Sequence, residues 1–309
     1  MVRTPVIASL VLGALVACPA AAQDKATLVL QPSSQWQLDM GEHRCRLART
    51  FGTGASETLF YIEQFNPSAK FKWAIAGAPL DGLFKDELKV RDSAREVEVH
   101  FGPLIPSFKY QFRGGTLGKF GSAVLGSGPD EPASAEKNKS DDESIDVMEP
   151  RFLQSAQGKA IEWVALSANP IGTVRLALGN MEPAFMAMNF CMDDLVKSWG
   201  LDPDVQKNLR KPAAVANIES IARNIVREYP VKALRMNTSA EFNYRIIVDE
   251  KGRPESCVIT NMSTAAGFDG NTRACEIFMQ KARFEPAVGS DDKPVRSYVA
   301  NQIRYVMPP

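Results

Sequence analysis

Apolar and polar residues alternate with a period of two at several places in the first part of the chain. Phe71, Trp73 and Ile75 form one such series, and Val97, Val99 and Phe101 another. Phe108, Tyr110 and Phe112 follow, then Val174, Leu176 and Leu178. This period turns one face of a strand inward. Glu57 to Phe65 and Ala160 to Leu166 read as further strands. Short strands between Gly/Pro turns predict a β-rich domain over 24–203, either a sandwich or a partly open barrel. Near its end the period becomes helical: Phe185, Met188, Met192, Val196 and Trp199 share one stripe. Asn180 can cap this closing helix, Glu182 suits its positive end, and Gly200 suits its C-terminus. Asp193 stands one turn from Lys197, the spacing of a surface ion pair.

Residues 229–309 follow another pattern, that of a small α+β unit. Tyr229-Pro230 starts a helical turn, and Phe242 to Val248 alternate before becoming wholly apolar, as a strand with a buried face does. Asp249-Glu250-Lys251-Gly252 supplies a hairpin turn. A second strand runs through Cys257-Val258-Ile259, a helix covers Asp269 to Ala282, Arg283 to Ala287 stops it, and Arg296 to Val306 is the last strand. Between the domains, 204–228 reads as a polar linker with a short helix over Ile218 to Arg227. From Gly126 to Ser144 no apolar residue exceeds alanine in size and acidic residues are frequent, so a solvated, mobile loop is expected there.

The first residues change the compartment. Arg3 followed by an apolar stretch from Val6 to Ala17 and by Ala20-Ala21-Ala22 reads as a cleaved export signal over 1–22. The alternative is a lipoprotein signal, because Leu15-Val16-Ala17-Cys18 would place an acylated Cys18 at the mature N-terminus. In both readings Cys45, Cys191, Cys257 and Cys275 remain, and an even count in an exported chain favours disulfides. Four cysteines allow three pairings. Cys257 and Cys275 belong to one small unit, on a strand and a helix, which makes their pairing natural; Cys45 and Cys191 then pair by elimination. Lysine plus arginine and aspartate plus glutamate both number 36. Such a balance offers no concentrated basic face for nucleic acid. After the signal no apolar run is long enough to span a bilayer.

The order of Tyr229-Pro230, Val248-Asp249 with Gly252-Arg253, Phe268-Asp269 and Ala282-Arg283-Phe284 with Pro286-Ala287 resembles the C-terminal domain of the TonB energy-transducer family. The resemblance implies an α+β domain that meets envelope partners, outer-membrane transporters among them, by accepting an extended peptide at a sheet edge. It places that edge on Tyr298, Ala300, Gln302, Arg304 and Val306, where Gln302 and Arg304 alternate with apolar Ile303 and Tyr305. Trp36 to Gly52, and Cys191 to Gly200, resemble the N-terminal part of exported proteins carrying such a domain. An energy transducer also has an uncleaved membrane anchor and a long Pro-rich spacer, and this chain has a folded β-rich domain and a short linker instead.

Catalytic signatures are weak. Gly114-Gly115-Thr116-Leu117-Gly118-Lys119 fails as a phosphate loop, since Arg113 replaces its first glycine and Phe120 its Ser/Thr; a turn after the preceding strand explains the glycines. His43 and His100 are far apart, and neither they nor the cysteines have metal-ligand spacing. Asp141-Asp142 and Asp291-Asp292 fall in polar segments. The expectation is a periplasmic, non-catalytic binding protein without cofactor or metal. The alternatives are a transducer whose signal stays as an anchor, and an exported enzyme with its site in the N-terminal domain.

Overall fold

The computed structural model describes residues 27–84, 96–129, 151–262, 267–268 and 273–305. The export signal with Cys18, most of the expected acidic loop (130–144) and Val306 lie outside them. In chain order the first strands are β1 (Thr27–Leu30), β2 (Gln37–Gly41), β3 (Arg44–Phe51), β4 (Thr58–Gln64), β5 (Phe71–Gly77), β6 (Glu96–Pro103), β7 (Phe108–Gln111), β8 (Arg113–Thr116) and β9 (Ser122–Gly128). Helix α1 (Ser155–Ala160), β10 (Ile161–Ala168), β11 (Gly172–Ala177) and helix α2 (Glu182–Ser198) follow.

These strands build two open sheets, ordered β1-β11-β10-β6-β7 and β2-β3-β4-β5-β9-β8. The expected alternation is what joins them. Phe60, Ile62, Trp73 and Ile75 of one sheet and Val99, Phe101, Val164 and Leu166 of the other share a core with Phe185, Met188 and Met192 of α2. Phe71 links all three layers, edge-on to Phe101 at 5.8 Å and to Phe185 at 5.6 Å. Asn180 does accept from the Glu182 N–H, at 2.9 Å.

Four expectations are corrected here. Phe108, Tyr110 and Phe112 do not share one strand: β7 ends at Gln111, and the chain crosses at buried Phe112 to the other sheet. Gly114 and Gly115 are therefore rungs of β8 opposite Val124 and Ala123, not a turn. Gly126 to Gly128 belong to β9 rather than to a loop. Gly126 pairs with Trp73, and a Cβ there would lie 2.2 Å from the indole, so glycine lets the ring cross the neighbouring strand. Asp193 pairs with Lys207 at 2.6 Å, while Lys197 pairs with Asp194 at 3.5 Å.

The second domain contains α3 (Pro203–Lys207), β12 (Ala214–Val215), α4 (Ile218–Arg227), α5 (Val231–Arg235), β13 (Ala240–Val248), β14 (Pro254–Met262), α6 (Ala274–Lys281), β15 (Phe284–Glu285), β16 (Ala287–Val288), β17 (Pro294–Val295) and β18 (Ser297–Tyr305). Antiparallel β14-β13-β18 form its sheet. Phe242, Tyr244, Ile246 and Val248 of β13 turn to one core with Ile221, Ile225, Ile277 and Phe278 of α4 and α6. The expected linker is not free of the fold, because Leu209 and Ala213 join that core and β12 pairs with β15. Helix α6 is described from Ala274 on, shorter than the expected span, and Arg283 to Ala287 contribute β15 and the start of β16 as well as ending the helix.

Candidate partner-binding edge

β18 is an outer strand. It pairs with β13 from Ser297↔Val248 to Tyr305↔Ala240, and among the described residues no strand pairs with its other side. In an antiparallel ladder the N–H and C=O of one residue point to the same side, and the side alternates along the strand. Gln302 N–H donates to Asn301 Oδ1 at 2.8 Å, and the Arg296 carbonyl accepts from Gln206 Nε2 at 3.0 Å. The even-numbered residues, Tyr298, Ala300, Gln302 and Arg304, thus direct their backbone groups outward.

The side chains of this row face the N-terminal domain, opposite the helices. Tyr298 is 3 % exposed and stands edge-on to Trp199, ring centres 5.1 Å apart. The Arg151 guanidinium lies 5.2 Å above the tyrosine ring, and Ala300 packs on the same core. Gln302 donates to Glu241 and, at 3.4 Å, to Asn243 Oδ1. Arg304 is exposed, 3.6 Å from Glu241. The polar residues of this row are Gln302 and Arg304. Tyr298 and Ala300 are committed to the domain interface.

That interface holds residues with no sequence signal of a partner. Arg245, on β13, is buried, with its guanidinium 4.0 Å over the Trp199 ring. Burial holds its pKa down to about 10, which still leaves it cationic at neutral pH. Its Nη1 has no hydrogen-bond partner among the described residues. Gln206 accepts from the Ser297 hydroxyl at 2.6 Å, and Arg296 Nη1 donates to the Gly200 carbonyl at 2.6 Å. Lys72 Nζ donates to Asn243 Oδ1 at 3.1 Å. Burial also raises the Tyr298 phenol above its ordinary value, and pushes Tyr305 up to about 12. The one available hint was Arg245 itself, a cation set directly before the apolar run Ile246 to Val248.

Two disulfides join the expected partners. Cys45 of β3 bonds Cys191 of α2 (Cα–Cα 6.1 Å), and Cys257 of β14 bonds Cys275 of α6 (5.4 Å). Among the described residues no three His, Cys, Asp or Glu side chains converge as metal ligands. His43 Nδ1 lies 2.9 Å from the Glu42 carbonyl, and His100 stacks edge-on to Trp163 at 4.6 Å.

A three-stranded antiparallel sheet with helices on one face and an outer strand at its C-terminal end is the architecture of a small α+β domain. Residues 226–307 match the family described as Gram-negative bacterial TonB protein C-terminal. This part of the chain is a TonB-type C-terminal domain, preceded by a different N-terminal region. No curated protein matches the chain. The domain is of a bacterial envelope type, and the two disulfides fit an exported protein. No helix of the described residues is long and apolar enough to cross a membrane.

Proposed function

We propose that this chain is a periplasmic, non-catalytic binding protein that docks an extended segment of an envelope protein, such as an outer-membrane transporter, along β18. The observation that carries the reading is the outward Gln302 N–H on an outer strand, met only by the side chain next to it. An added strand gains main-chain hydrogen bonds from such an edge, and side chains set its specificity. The chain reaches the periplasm by cleavage before Gln23, and the intact mass of the secreted species checks this: a start at Gln23 is expected, an acyl adduct on Cys18 opposes it.

Partner capture from detergent-solubilised envelopes on the immobilised full chain, followed by affinity measurement for the captured protein, tests the docking. Gln302→Ala should bind within about threefold of wild type, since backbone bonds dominate. Gln302→Pro removes the N–H and should abolish binding while circular dichroism shows the fold retained. A folded proline variant with unchanged affinity would sink the reading.

A further inference from the structure

We infer that the Cys257–Cys275 bond is a thiol–disulfide exchange site for an exported dithiol protein, and that its reduction loosens the end of β18. Burial separates the two disulfides. Cys45 is 0 % and Cys191 2 % exposed, sealed in the N-terminal core, whereas Cys257 and Cys275 are both half-buried. An accessible disulfide is open to an attacking thiolate, and a sealed one is not. Cys257 lies on β14, the other outer strand of its sheet, and Cys275 is the second residue of α6. A thiolate at Cys275 faces the unpaired N–H groups of the first helical turn, which stabilise its charge. The nearby Arg273 guanidinium is already held by Glu228 and Glu276, each at 3.1 Å. The helix end therefore makes Cys275 the better leaving group, and attack falls on Cys257 Sγ. In the first step the dithiol protein's thiolate bonds Cys257 Sγ, the Cys257–Cys275 bond breaks, and Cys275 leaves with the electron pair and takes a proton. The second thiol of the same protein, as a thiolate, then displaces Cys257, which takes the other proton. Two electrons and two protons pass to this chain, and the dithiol becomes a disulfide.

The consequence follows from what the bond encloses. The chain between the two cysteines carries Phe268, which is 6 % exposed. Its ring packs on Tyr229 at 5.6 Å, Phe242 at 5.5 Å and Tyr305 at 5.3 Å. Tyr305 ends β18, and Phe242 pairs with Ile303 of the same strand. Gly267, at φ +91°, brings Phe268 in against α5, where a Cβ would lie 2.6 Å from the Ala233 nitrogen. Opening the disulfide returns conformational freedom to the loop that positions Phe268. The ring then leaves its cluster more often, and the last rungs of β18 open with it. The exchange site stands without any docking partner; only its effect on docking rests on strand addition at β18.

Graded dithiothreitol on the folded full chain, followed by alkylation and peptide mass mapping, tests the site. Cys257 and Cys275 should be alkylated at reductant levels that leave Cys45–Cys191 bonded. Loss of both bonds together, or of Cys45–Cys191 first, overturns the exchange site. A small dithiol protein whose resolving cysteine is replaced by serine should be trapped on Cys257, with Cys275 free to alkylate. A bridge to Cys275 overturns the order of attack. Hydrogen exchange then reads the coupling with no partner present. In the selectively reduced wild type, the amides of Ile303 and Tyr305, which pair inward to β13, should exchange about tenfold faster. Phe268→Ala in the oxidised chain should give the same rise, and reducing that variant should add nothing at these amides. Faster exchange confined to α6 on reduction of the wild type leaves the exchange site standing and overturns the coupling to β18.

Discussion

Asp249 closes the turn between β13 and β14 through backbone and side chain at once. Its carboxylate accepts from the N–H groups of Lys251 (2.9 Å) and Arg253 (2.8 Å) and from Arg253 Nε (2.6 Å). Gly252, at φ +74°, lets the chain turn back under it. The Arg253 N–H foremost, with its guanidinium, holds the carboxyl below the ordinary 3.8. Since the folded value is the lower one, its contribution is complete above the unfolded pKa and is lost as pH falls through the folded pKa. Asp249→Asn should lower the urea midpoint at pH 7, and the gap to wild type should shrink as pH drops below about 4. Midpoints that run parallel across this range would show that the charge is irrelevant. This much was legible from Asp249 and Gly252 in a turn sequence. The role of Gln206 was not, because it is polar, sits in an apparent linker, and meets Ser297 only after the chain has folded back.

Among the elements, the two disulfides do different work. The Cys45–Cys191 bond closes a separation of 146 residues and the Cys257–Cys275 bond one of 18. On loop-closure entropy these contribute about 5 and about 3 kcal/mol. Replacing Cys45 and Cys191 by alanine should therefore lower global stability more than replacing Cys257 and Cys275. Removing the second bond should raise amide hydrogen exchange in α6 while β13, paired on both sides, stays protected. Equal protection in α6 with and without the bond would mean that packing of Ile277 and Phe278 holds the helix unaided. Strands with one buried face were readable from their period of two, as β6 and β11 show. β8 was not, since glycines carry no hydrophobic period and its pairing with β9 is a tertiary event.

At the scale of the molecule, both faces of the β14-β13-β18 sheet are covered, one by its own helices and the other by the N-terminal domain. Ile247 and Tyr298 belong to the N-terminal core although the later domain supplies them. Trp199 is the pivot, touching Arg245 at 4.0 Å and Tyr298 at 5.1 Å. Trp199→Ala should cost about 3–5 kcal/mol, the range for a large aromatic lost from a core, and should uncouple the domains into separate thermal transitions. Arg245→Met should be neutral or stabilising, because it replaces a buried, incompletely bonded cation by an apolar side chain of similar length. A destabilisation with Arg245→Met as large as with Trp199→Ala would mean that the stacked cation itself holds the domains together.

Local chemistry within the sequence determined the α+β class, most strand positions, the α2 stripe, the hairpin at Asp249 and the TonB-type character of the C-terminal part. Each depends on periodicity or turn preference among residues close along the chain, so each can be read without knowing the fold. The sheet order, the burial of Tyr298 and Ala300 against the other domain and the capping of Arg296 by Gln206 belong to the tertiary structure. They arise because β13 presents alternate side chains to two different cores, and a period of two marks two faces without saying what will cover each.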